Sequence, residues 1–130
     1  MELNRFDREA AQIPLDTKSM ESWPPALVQL WWDLKTELLA LGPDVTVTPR
    51  TEYTSFWRKD VFAYVKPVPK QDCIVMSVKV NPDTVKLESG FTRDVRAIRA
   101  IGWGDLEIII YNHRDLEKAK PILMESYTLC

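Results

Sequence analysis

Arg93, Arg96 and Arg99 recur every third residue, and Trp103 follows between Gly102 and Gly104. Guanidinium groups match carboxylate and phosphate oxygens in planar, two-point fashion. An indole flanked by two flexible residues can stack on a base or insert into a partner. A short helix or 3₁₀ turn would bring the three arginines to one side. Trp57, Arg58 and Lys59 follow one another earlier in the chain and could join them. Residues 49–70 hold five bases and two acids, a local excess of three positive charges. Such a patch suits a phosphate backbone, and hence nucleic acid, or another anionic partner. The competing reading is structural: Arg96 links to Asp94, and Trp103 plugs one end of the core.

A second chemistry rests on Asp105 and Glu107, two apart and so on one face of a strand. Paired carboxylates can bind a divalent metal or act as acid and base. Equally, Asp105 can cap the Gly-Trp-Gly turn through its own backbone while Glu107 faces water. A strand-borne Glu-x-Lys of the metal-dependent nuclease kind is missing, and the nearest match, Asp33-x-Lys35, falls in a helical pattern. The single histidine, His113, opens the last helix, where a positive imidazole is disfavoured. No Ser-His-Asp set, zinc spacing or phosphate-binding glycine loop is present. No catalytic residue, metal ligand or cofactor is therefore assigned.

The elements that must position these residues are legible in part. Leu27, Leu30, Trp31, Leu34, Leu38 and Leu41 recur at three and four, which predicts a helix opened by Ser22 with Pro24 and Pro25 and closed by Gly42 and Pro43. Val45 to Thr48 is a short extended segment. Thr51 to Arg58 and Val61 to Lys66 predict a hairpin turning at Lys59-Asp60. Pro67 to Asp72 reads as a loop, because two prolines do not suit a central ladder. Cys73 to Val80 is a strand with Ile74, Met76, Val78 and Val80 inward. Asn81 to Thr92 reads as a loop. Leu106 to Tyr111 is the last strand, with Leu106, Ile108 and Ile110 inward. Asn112 and Asp115 form a cap for a closing helix with Leu116, Ala119, Leu123 and Tyr127 buried and a kink at Pro121.

This order implies an α+β two-layer sandwich, with an antiparallel sheet of 4–5 strands and both helices on one face. The 130 residues suffice for one core, with 45% hydrophobic and 28% charged residues. Residues 23–130 form the expected domain, and 1–22 an arm, mobile or loosely packed. The net charge of −2 argues against a surface that coats nucleic acid throughout. Two distant cysteines, no leader-like segment and no long apolar run point to a soluble cytoplasmic protein with no membrane partner.

LWWDLKTELLALGPDV, TEYTSFWRKDVFAYVKP and FTRDVRAIRAIGWGDLEIIIYNHRDLEKAKPILMESY, taken in order, resemble a bacterial and archaeal domain of unknown function. Its members have been loosely labelled predicted transport proteins. The resemblance spans roughly Trp23 to Tyr127, and its recurrent features fall on Arg93, Asp94, Gly102, Gly104, Asp105 and Glu107. In longer members the domain tends to sit at the C-terminal end, sometimes beside nuclease-like domains, which implies an accessory binding module. This chain departs at the turn, where the family often carries Gly-His and here Arg99-Ala100-Ile101-Gly102 stands. The sequence thus favours a binding module for nucleic acid or another anionic partner. A protein-interaction or homodimer-forming domain, suggested by five tryptophans, comes next, and a small metal-dependent enzyme last.

Overall fold

A computed structural model describes residues 20–99 and 101–130. The arm expected over 1–22 therefore falls outside the described residues, save for 20–22, of which Met20 is buried in the core.

Helix α1 (Pro25–Leu39) turns Leu27, Leu30, Trp31, Leu34 and Leu38 inward, as the stripe predicts. Its cap differs from expectation. Pro24, not Ser22, occupies the capping position, and Pro25 begins the helix, where a missing N–H costs nothing. The helix also stops short of Gly42, at Ala40. Strands β1 (Thr46–Pro49), β2 (Thr54–Trp57), β3 (Val61–Val68), β4 (Cys73–Val78), β5 (Thr92–Asp94) and β6 (Leu106–Ile110) follow, and helix α2 (His113–Leu129) closes the chain. The Asn112 side chain accepts from the Asp115 amide, and Asp115 reaches back to the Tyr111 amide.

The sheet has six strands in the order β1-β2-β3-β4-β6-β5, each neighbour antiparallel. This corrects the expected 4–5 strands. β5 escaped notice because it has three residues, two of them charged. A second correction concerns Pro67, expected in a loop but paired with Ile74 inside β3. β2 begins at Thr54, opposite Val65, so residues 66–68 have a strand on one side only, and proline is tolerated there.

One sheet face carries Val47, Phe56, Ala63, Val65, Ile74, Met76, Val78, Leu106, Ile108 and Ile110. These share a single core cluster with the inward residues of both helices. Ser126, rather than Tyr127, completes the buried face of α2. Its hydroxyl donates to the Phe62 carbonyl at 2.6 Å and accepts from the Lys79 amide at 2.9 Å. Tyr127 is half-buried and meets Phe62 edge-on at 5.6 Å.

The opposite face is different in kind. The register aligns Thr48, Ser55, Tyr64, Ser77, Glu107 and Arg93 in one row across all six strands. A smaller cluster of Val61, Tyr64 and Ile101 sits on it, with Tyr53, Trp57 and Val75 alongside. Ile101 belongs to the connection between β5 and β6, so that loop folds back over this row. No helix among the described residues is long and apolar enough to cross a membrane.

Candidate functional site

The three arginines do not share a helical face. Arg93 lies in β5, directly opposite Glu107 of β6. Its guanidinium donates to both Glu107 oxygens, at 2.9 and 3.0 Å. The Glu107 carboxylate is 6% exposed, and the two-point bond supplies the charge partner that burial demands. The same bond raises the basicity of Arg93. With Gly90 and Phe91 the pair lines a hollow of about 430 Å³.

Arg96 follows the end of β5. Its guanidinium donates to Asp94 at 2.8 Å, to Asp83 at 3.0 Å and to the Asn81 side chain at 3.3 Å. It thus ties β5 to the 3₁₀ turn Pro82–Thr84. Asp94, then Asp83, raise its basicity, while Arg96 holds the Asp94 carboxyl below its ordinary value.

Arg99 turns inward on its own loop. Its backbone is left-handed, at φ +50, which breaks the three-residue periodicity. Its guanidinium donates to the Trp103 carbonyl at 2.9 Å, the Gly104 carbonyl at 3.1 Å and Asp105 at 2.5 Å. The amides of Ile98 and Arg99 both bond the Val95 carbonyl.

This loop, residues 95–104, is pressed onto the sheet at several points. Val95 and Ile101 are buried. Gly102 and Gly104 lie so close to the strands that an added Cβ would sit 2.3 Å from the Tyr64 ring and 2.0 Å from the Ser77 hydroxyl. Burial raises the pKa of the Tyr64 hydroxyl. Ser77 Oγ is buried with no hydrogen-bond partner among the described residues. The side chains at the loop's crest point the other way: Trp103 is 69% exposed and Ile98 57%.

The hairpin tip divides. Trp57 joins the small cluster with Ile101, and its indole N–H donates to Ser55. Arg58 instead bonds Asp44 at 3.0 Å and lies 4.6 Å from the Tyr127 ring centre. Lys59 is exposed. The structure thus brings Trp57 to the Trp103 loop and takes Arg58 toward the end of α2.

Asp105 and Glu107 do not converge on a common ligand. Asp105 precedes the strand and binds Arg99; Glu107 binds Arg93. No group of three or more histidine, cysteine or acidic side chains could hold a metal ion among the described residues. Arg93, Arg96 and Arg99 contribute three positive charges, against four negative ones on Glu107, Asp94, Asp83 and Asp105, so the ion pairs sum to −1. Sequence reading had passed over Ile98, Tyr64 and Ser77. Their parts depend on contacts across the sheet; only the apolar type of Ile98, between two arginines, hinted at one.

A family described as a domain of unknown function (DUF5655) matches residues 17–129. No curated protein and no solved structure matches the chain.

Proposed function

The chain belongs to the DUF5655 family, a domain of unknown function, and on that footing we propose that it is a binding module whose contact element is the loop 95–104. The observation that carries this reading is an indole 69% exposed on a loop otherwise fixed to the sheet. Ile98 stands out from the same loop. Large apolar side chains on a rigid support match the anchor residues of protein interfaces, because little freedom is lost on docking. Burying most of an indole stabilises a complex by roughly 2–4 kcal/mol.

The partner this loop fits best is a protein surface with an apolar pocket. A polyanion such as nucleic acid fits it less well, because the arginines that would meet phosphates are already occupied and the local ion pairs sum to −1. An accessory role beside a nuclease-like domain, implied by the resemblance, suits such a module. The test places a photoreactive benzoylphenylalanine at position 98, exposed on the same loop, and compares capture by baits that keep Trp103 or carry Trp103→Ala. A protein cross-linked at 98 and lost from the alanine bait supports the proposal. Salt-sensitive quenching of Trp103 by oligothymidylate, with no such protein, would overturn it in favour of a single-stranded nucleic acid.

A further inference from the structure

Three cations outside the ion pairs gather in a groove elsewhere. Among the described residues, Arg50, Lys59, Lys66, Lys70, Lys86 and Arg114 have no carboxylate partner. Arg50, Lys66 and Lys70 line one region at the open end of β3. Two adjoining hollows there, of about 340 and about 550 Å³, share Trp23, Lys66 and Pro67.

Among the described residues, none of the three cations is in a salt link, and each is placed by its position on the main chain. Arg50 stands on a tight turn closed by its amide and the Tyr53 carbonyl at 2.8 Å. Lys66 is exposed on β3, past the last residue paired to β2. Lys70 sits in the 3₁₀ turn Pro69–Gln71. Glu52 lines the first hollow as well, leaving a formal excess of two positive charges in a chain whose net charge is −2. Part of the lining is aromatic or apolar. Trp23 is buried, Tyr53 is braced edge-on against Tyr64 at 5.3 Å, and Pro67, Val68 and Pro69 are half-buried.

We propose that this groove is a binding site for a small organic anion, whose phosphate or carboxylate meets Arg50, Lys66 and Lys70 while a planar ring lies along Tyr53 and Pro67. The volumes are those of small-molecule sites. Three cations against the one carboxylate of Glu52 favour an anion, and the aromatic and proline residues of the lining favour a flat body over an inorganic ion. Tyr53 shares a cluster with Ile101 of loop 95–104, but neither Trp103 nor Ile98 lines the groove, so either reading can fail without the other.

The test titrates the intact chain with adenosine 5′-monophosphate, 2-naphthoate, adenosine and inorganic phosphate, following backbone amide shifts by NMR. The two organic anions are expected to shift Tyr53, Lys66 and Val68 saturably, with adenosine and phosphate at least about tenfold weaker. Response to the nucleotide alone assigns the site to phosphate esters, and to naphthoate alone, to carboxylates. Lys66→Glu and Arg50→Glu, at exposed positions, should each weaken binding by roughly tenfold, while Lys86→Glu, exposed and outside the groove lining, leaves it unchanged. The proposal is overturned if neither anion shifts these amides, if adenosine binds as well as its monophosphate, or if both charge reversals leave affinity intact.

Discussion

Replacing Gly102 by alanine tests whether loop 95–104 is held against the sheet as described. Gly102 has φ +56, a left-handed conformation that costs an L-residue about 1–2 kcal/mol. A Cβ there would also meet three Tyr64 ring atoms at 2.3, 2.4 and 2.6 Å. Tyr64 is 5% exposed and braced by Tyr53, so it has little room to yield. Overpacking of this kind costs about 1–3 kcal/mol, for a total of roughly 2–5 kcal/mol. The chain supplies its own control. Gly90 has φ +82 with nothing within 4 Å of an added Cβ, so Gly90→Ala bears the backbone cost alone. Urea denaturation of both variants should give a difference of about 1–3 kcal/mol. Hydrogen exchange at the Asp105 amide, bonded to the Val78 carbonyl at 2.8 Å, should quicken only in Gly102→Ala. Equal costs within about 0.5 kcal/mol and unchanged exchange would refute the close packing of the loop.

Ser126→Ala removes the one hydroxyl that serves both the Phe62 carbonyl and the Lys79 amide, and should cost about 2–4 kcal/mol in urea denaturation for two stranded backbone groups. Trp103→Ala should change stability by less than about 0.5 kcal/mol, because its side chain packs on little; a larger loss would make Trp103 a structural residue. Asp44 is held below its ordinary pKa, first by the Tyr127 hydroxyl and then by Arg58, and Asp94 is likewise held down by Arg96. A depressed folded-state value means stability that is present above the unfolded value and lost as pH falls through the folded one. Melting temperature should therefore drop on acidification below about pH 4, less steeply in Asp44→Asn, and parallel profiles would contradict this. Cys73, buried and with its thiol pKa pushed up by that burial, should react with a disulfide reagent only on unfolding.

Local patterns carried much of the fold. The α1 stripe was readable because burial on a helix repeats at three and four, and the inward faces of β4 and β6 because strands alternate. What failed was non-local. β5 exists because Thr92 to Asp94 find β6, and nothing in three residues with two charges announces that pairing. The arginine spacing suggested a helix, but the strand extends through Asp94 and the chain turns left-handed at Arg99. Each guanidinium then takes a carboxylate that sequence alone could not select, apart from Asp94 two residues from Arg96. The glycines around Trp103 were noticed as flexible. Their role in the fold is the reverse, since two hydrogen atoms in place of side chains let the loop lie flat on Tyr64 and Ser77.

The two rims of the sheet bear on how copies of the domain can meet. β1 and β5 are the outermost strands. β1 is four residues long and ends in Pro49, which offers no amide, and β5 is three residues long, with Arg93 and Asp94 anchored by ion pairs. Neither presents the long, unpaired ribbon that templates strand addition. Extension of the sheet into a neighbour's is therefore disfavoured at both rims, and association between copies is expected to use side-chain surfaces rather than a shared backbone ladder.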